Sequence, residues 1–315
     1  AGSRFTALFE ALGIDWLLEA SFAAVARKLR LSWDEVAGIQ ERAVRRGLVR
    51  RKRKPPKRIG VDETSFQKRH EYVTVVTDPD AGHVLHVADD RKTESLEQFY
   101  AGLDASQKAA IRGVSMDMWP AFITATRRHL PDADSKIGFD KFHVAKLLGD
   151  AVDKVRRQEH KARSAHGDGV LKGSKYTWLT NPDNMTDAQH ARFTALRHST
   201  LKTARAWAIK DMAMQLWSYR SRAWAEKAWR RWLSWAQRCR LAPLQAVATT
   251  IKRQLWGILN AIVLGLHNGH AESMNSRIQR LKHRACGFRN RERFRNAIYF
   301  HLGGLQLYPA GLRVH

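Results

Sequence analysis

Cysteine is nearly absent: the 315 residues hold only Cys239 and Cys286, and no CxxC pair. That excludes a disulfide framework and a four-cysteine zinc site, and it fits a reducing compartment. Long apolar runs are also missing. No stretch approaches the ~18 uninterrupted apolar residues of a membrane-spanning helix. Charged residues break every apolar stretch near the beginning, so no cleavable signal is expected. Glycine-rich phosphate loops are lacking, which argues against nucleotide hydrolysis, and no local motif supports a serine or cysteine nucleophile. Acid is scarce, with 30 Asp and Glu against 55 Lys and Arg, for a net charge of +25. Such an excess makes nucleic acid the first partner to expect.

The opening residues read as helices. Phe5, Leu8, Phe9 and Leu12 follow the 3.6-residue period, Ser21 to Leu29 forms a second segment, and Trp33 to Arg46 a third. Ser32 and Glu35 make a capping box at the start of the third. Two helices joined by a short turn resemble a helix-turn-helix, whose second helix would enter the major groove. Residues 45–58 then concentrate Arg45, Arg46, Arg50, Arg51, Lys52, Arg53, Lys54, Lys57 and Arg58 around Pro55-Pro56. Proline prevents helix there, so this stretch is expected to be an extended arm. Arg50, Arg51, Lys52, Arg53 and Lys54 are the candidates for tracking DNA phosphates.

From Ile59 the period becomes that of strands. Ile59 to Asp62, Tyr72 to Thr77 and His83 to Val87 read as three strands, the last two joined by the turn Asp78-Pro79-Asp80-Ala81-Gly82. A helix carrying Leu96, Phe99, Tyr100 and Leu103 follows. A fourth strand ends at Asp117, a helix runs from Pro120 to His129, and a fifth strand spans Lys136 to Phe139. This is a ribonuclease-H-like order, and it sets Asp62 and Asp117 on neighbouring strands. Alternation puts Glu63 on the face opposite Asp62.

Residues 144–265 read as almost entirely helical, with residues 160–200 the least ordered part. The tryptophans at helical spacing, Trp207 to Trp256, read as packing residues rather than base-stacking platforms. Beyond them, Glu272 opens a basic amphipathic helix on which Asn275, Gln279 and Lys282 recur along one face. That face is expected to lie along the DNA strand being cut, with Asn275 and Lys282 on its phosphates.

Asp62, Asp117 and Glu272 are the candidate catalytic and metal-binding residues. Phosphodiester chemistry needs an aligned nucleophilic oxygen and charge compensation on the leaving oxygen. Two Mg²⁺ ions about 3.5–4 Å apart supply both, and hard cations seek carboxylate oxygen. Mn²⁺ is expected to substitute.

At these residues the chain resembles the bacterial insertion-sequence transposases of the ISL3 family. The matching stretches are GVDETSF, YVTVVTD, Val114-Ser115-Met116-Asp117-Met118, FDKFHVAK and NGHAESMNSRIQRLKHRACGFRN. Upstream, RFTALFEAL and LSWDEVAGIQERAVRRGLVRR look like that family's helix-turn-helix region. The resemblance implies an aspartate-aspartate-glutamate triad on Asp62, Asp117 and Glu272. Asp140-Lys141-Phe142-His143 also resembles the Cys/Asp-x-x-His motif of transposases with a helical insertion before the glutamate. His143 either supports the active site, touches DNA or packs beside Asp140. Family members usually carry a cysteine-rich zinc-binding region, which these residues lack.

The expected architecture is therefore α/β. Residues 1–48 form a helix-turn-helix region, 49–58 a basic linker, 59–150 the first part of a ribonuclease-H-like core, 151–265 an α-helical insertion and 266–315 the core's C-terminal helices. The expected function is metal-dependent DNA cleavage at insertion-sequence ends followed by 3′-hydroxyl strand transfer. The implied partners are double-stranded DNA, at element ends and target, and further copies of the chain in a homodimer or higher synaptic assembly. The place of action is the cytoplasm, on the nucleoid. A structure-selective nuclease of the same fold and a domesticated DNA-binding protein are the competing readings.

Overall fold

A computed structural model describes residues 4–51, 55–67, 71–266 and 269–312, the side chains at 270–272 excepted. In chain order the elements are α1 (Ala7–Glu19), α2 (Phe22–Leu29), α3 (Trp33–Arg50), β1 (Arg58–Gln67), β2 (Glu71–Asp78), β3 (His83–Ala88), α4 (Thr93–Ala101), α5 (Ala105–Ala110), β4 (Gly113–Met116), α6 (Pro120–His129) and α7 (Ala133–Lys136). There follow β5 (Ile137–Phe139), α8 (Lys141–Ser164), α9 (Lys175–Leu179), α10 (Asp187–Arg197), α11 (Lys202–Gln215), α12 (Arg222–Arg238), α13 (Ala242–Leu264), α14 (Gly269–Arg284) and α15 (Arg291–Leu302). The protein is thus mixed α/β and mostly helical. It divides into two compact units, residues 1–136 with 268–315, and residues 137–267.

In the first unit the strands lie in the order β3-β2-β1-β4. β1, β2 and β3 form an antiparallel meander, while β4 runs parallel to β1. β1 is longer than the four apolar-patterned residues suggest. Thr64 and Phe66 continue its buried alternation past Asp62, so the strand persists to Gln67. Val73 and Val75 of β2 share a core with Ile14 and Leu17 of α1, Val36 and Ile39 of α3, and Phe294 and Ile298 of α15. The N-terminal helices therefore bury their apolar faces on this unit instead of standing apart. α4 packs on β2 and β3 and against α6, where the Tyr100 hydroxyl lies 3.0 Å from that of Thr126.

Both halves of the Ser32–Glu35 capping box are present at the head of α3. The helix continues to Arg50, four residues beyond the expected end. Arginine is a good helix former, and here the guanidinium groups find carbonyl partners. Arg46 donates to the Leu307 carbonyl at 3.0 and 2.9 Å, and Arg50 to that of Tyr308 at 2.6 Å. The first part of the basic run is thus helix, not extended arm.

The second unit is a helical bundle in which α13 packs on α8, α12 and β5. Trp178, Trp207, Trp229 and Trp232 are buried, and the Trp232 indole donates to the Ile209 carbonyl at 2.8 Å. Gly257 brings α13 onto Phe139, because a Cβ there would meet the ring at 2.4 Å. Residues 160–200, expected to be the least ordered, contain α9 and α10, held together by edge-on contact of the Trp178 and Phe193 rings at 6.0 Å.

Candidate active site

β1 and β4 carry Ile59 opposite Val114 and Gly60 opposite Ser115. Two residues further along each chain stand Asp62, within β1, and Asp117, just past the end of β4. Ile59, Val61, Val114 and Met116 are buried, so the core fixes both backbones up to the carboxylates, which are themselves half-buried.

The Asp62 carboxylate is held from two sides. Its Oδ1 accepts from the Glu63 backbone N–H and its Oδ2 from the Asn275 side-chain amide, both at 2.7 Å. Asp117 Oδ1 accepts from the Trp119 backbone N–H at 2.9 Å. These bonds orient both carboxylates.

α14 is fastened along β1 by a ladder of polar contacts. Asn275 reaches Asp62, Gln279 donates to the Thr64 hydroxyl at 2.7 Å, and the Lys282 ammonium donates to the Ser65 carbonyl at 3.0 Å. Met274 and Ile278 are buried beside it. Position 272 precedes Asn275 by three residues on the same helix. The Glu272 side chain itself is outside the described residues. The stripe expected to follow DNA is therefore applied to β1, and the exposed face of α14 carries Ser273, Ser276, Arg277 and Arg280.

Glu63 alternates with Asp62 and Thr64 and meets a different neighbour. Its Oε2 accepts from Arg91 Nη1 at 3.3 Å, while its buried Oε1 has no hydrogen-bond partner. Burial first and the Asp117 charge next push its carboxyl above the usual range; Arg91 opposes them and Asp62 adds to them. Glu63 thus feels both aspartates despite the alternation. Arg91 carried no signal in the sequence, since it lies in the β3–α4 connection and reaches the site only through the fold.

Of the expected phosphate-tracking residues, Arg50 and Arg51 have internal partners. Arg51 donates to the carbonyls of Leu85 at 3.2 Å, Val84 at 2.8 Å and Gly303 at 3.1 Å, which ties the end of α3 to β3 and the α15 terminus. Lys52, Arg53 and Lys54 lie outside the described residues. In the second unit, Asp140 is 2% exposed and caps α8 through the Phe142 N–H. Its other oxygen lies 3.0 Å from His143 Nδ1, so the pair forms a carboxylate-oriented imidazole.

Carboxylate oxygens suit a hard divalent cation, and Asp62 and Asp117 present them side by side, one within β1 and one just past the end of β4. Among the described residues no three His, Cys, Asp or Glu side chains converge on one point. Asp62 and Asp117 are thus the described part of the candidate set, with Glu272 the remaining member. No helix among the described residues is long and apolar enough to cross a membrane.

Comparison with known proteins identifies a family. Residues 59–298 match a family described as transposase, and residues 1–44 match the helix-turn-helix domain of transposase family ISL3. The chain is 30% identical to the transposase for insertion sequence element IS1001 of Bordetella parapertussis, over 88% of this chain and 69% of that protein. It is 32% identical to the transposase for insertion sequence element IS1557 of Mycobacterium tuberculosis, over 88% of this chain and 67% of that protein.

Proposed function

The chain belongs to the ISL3 family of transposases, and from that premise we propose that it cuts DNA at the ends of an insertion sequence and joins the freed ends to target DNA. The observation that carries this reading is the placement of Asp62, within β1, beside Asp117, just past the end of the parallel β4, with the helix bearing Glu272 fastened beside Asp62. An antiparallel meander followed by a parallel fourth strand supports a ribonuclease-H-like core. The long helical unit between Asp117 and Glu272 reads as an insertion into it.

Two divalent metal ions, Mg²⁺ or Mn²⁺, held by Asp62, Asp117 and Glu272 would activate the attacking oxygen and compensate charge on the leaving one. In the first step, water adds at phosphorus, the bond from phosphorus to the 3′ oxygen breaks, and that oxygen departs as a hydroxyl. In the second, the freed 3′ hydroxyl adds to a target phosphorus and displaces the target's own 3′ oxygen. The protein orients the carboxylates before DNA arrives. The Asn275 amide and the Glu63 N–H set Asp62, and the Trp119 N–H sets Asp117.

The helix-turn-helix region implies DNA binding. Lys52, Arg53 and Lys54, together with Arg277 and Arg280 on the exposed face of α14, are the groups we assign to phosphates. Asn275 and Lys282 act from within, holding α14 to β1. Two element ends would be brought together by a dimer or larger assembly of the chain. The test is incubation of the protein with DNA carrying its own element ends and a target plasmid. Joined products in Mg²⁺, with binding but little chemistry in Ca²⁺, are expected. Cleavage with no joined product under any divalent cation would leave a nuclease and remove the transfer step.

A further inference from the structure

We propose that Arg91 is a further catalytic residue, whose guanidinium contacts the non-bridging oxygens of the phosphate under attack; this rests on the phosphodiester reading above. Arg91 stands in the connection between β3 and α4, and three neighbours fix its head. Its guanidinium lies 4.5 Å from the centre of the Trp119 ring and 5.3 Å from that of Tyr72. Nη1 meets Glu63 Oε2 at 3.3 Å. The backbone is fixed by the same partner, since the Trp119 indole donates to the Arg91 carbonyl at 3.1 Å. The side chain remains 45% exposed.

These contacts close a circuit around the two aspartates. Asp117 accepts from Trp119, Trp119 holds Arg91, Arg91 meets Glu63, and Glu63 adjoins Asp62. A DNA phosphate approaching Asp62, Glu63 and Asp117 meets acids, and Arg91 is the cation in contact with one of them, Glu63. Its planar fork matches two phosphoryl oxygens, and the contact to Glu63 engages only one edge of it.

A plain counter-ion to Glu63 is the simpler role. For that role an ammonium on a flexible stem would serve equally. Contact of the guanidinium with two aromatic rings restrains it before substrate binds. That is what stabilising developing charge requires, because no reorganisation is then needed during reaction. Loss of one such donor lowers a rate about 10²–10³-fold.

The experiment measures single-turnover cleavage of DNA carrying the element end, at saturating protein and in Mg²⁺, together with the Kd for the same DNA in Ca²⁺. The variants are Arg91→Ala, Arg91→Lys, Glu63→Gln, Glu63→Gln with Arg91→Ala, and Asp117→Ala. The expected result is a rate loss of about 100-fold for Arg91→Ala, with Kd changed less than about threefold and no recovery in the double variant. If Arg91 only neutralises Glu63, removing both charges restores the rate, and that outcome overturns the proposal. A rate for Arg91→Ala within about threefold of wild type overturns it too. Should Arg91→Ala melt early, Arg91→Lys decides: a loss of about tenfold at unchanged melting temperature supports the fork, and a wild-type rate removes it. Asp117→Ala separates the layers. If it still cleaves, the reading of the whole site fails; if it is dead while Arg91→Ala is normal, only the role of Arg91 falls.

Discussion

Asn275 and Asp62 join the two chain segments of the candidate site through one hydrogen bond of 2.7 Å, from the amide nitrogen to Oδ2. A helix late in the chain thereby positions a carboxylate on the first strand. Groups that orient metal ligands in this way affect metal affinity about 10–100-fold when removed. Asn275→Ala is therefore expected to raise the Mg²⁺ concentration for half-maximal cleavage about tenfold, with DNA affinity in Ca²⁺ unchanged. Titration of Mn²⁺ into the DNA-free protein, followed by electron paramagnetic resonance, checks the same shift without relying on turnover.

Arg51 and its neighbours in the basic run are expected to separate by phenotype. Arg51→Ala strands three carbonyls that now share one guanidinium. A hydrogen bond to a charged group is worth about 1.5–3 kcal/mol, so a loss of several kcal/mol in unfolding free energy, and at least about 2, is expected. Joint replacement of Lys52, Arg53 and Lys54 by Ala should leave denaturation alone and weaken binding to all DNA sequences alike. It should also flatten the slope of log affinity against log salt by about 2–3. Loss confined to one cognate sequence would show that the arm reads bases.

Arg277 and Arg280 lie on the exposed face of α14, whereas Lys282 is engaged with the Ser65 carbonyl. Arg277→Ala and Arg280→Ala should each reduce the salt slope by about 0.9. Lys282→Ala should scarcely change that slope but should lower the cleavage rate, because it loosens the helix that carries Glu272. Salt titrations of DNA binding by the three variants check this, and equal slopes for all three would return Lys282 to the DNA.

His86 and His301 are buried, and burial pushes both imidazoles down to about 4 from an ordinary 6.5; nearby arginines, Arg295 and Arg284 respectively, add to the effect. Both are neutral in the fold at neutral pH. Below 6.5 the unfolded chain takes up protons that the fold refuses, so stability falls as pH drops from about 6.5 towards 4 and then levels. Each histidine costs on the order of 3 kcal/mol by the low end of that window, because a tenfold difference in proton affinity is worth about 1.4 kcal/mol. Thermal melts at pH 7.5 and 5 should differ by several degrees, and His301→Gln should narrow the gap. Melts independent of pH would show the imidazoles to be solvated.

Much of this arrangement was legible in the sequence wherever local chemistry decides the outcome. The Ser32 capping box, the Asp78–Gly82 turn and the apolar runs ending at Asp62 and Asp117 are all local, and all appear in the fold. The tryptophans of the helical unit pack as their spacing suggests, with Trp224 the exposed exception. Three features were hidden because they depend on contacts distant in the chain. α3 runs to Arg50 because its arginines find carbonyls beyond α15. Periodicity defined the Asn275–Gln279–Lys282 stripe on α14 but could not say that β1 lies against it. Arg91 has no helical or strand pattern to mark it, and it reaches the site through its contacts with Trp119 and Glu63.

The most direct test of the three-carboxylate site is the single-turnover cleavage rate of element-end DNA in Mg²⁺ for Asp62→Ala, Asp117→Ala and Glu272→Gln beside the wild type. Each variant should lose cleavage by about a thousandfold or more, as expected when a ligand of a two-metal site is removed, while its Kd for the same DNA in Ca²⁺ stays within about threefold. Cleavage within tenfold of wild type by any one of the three would remove that residue from the site, and near-normal rates for both aspartates would contradict the site altogether.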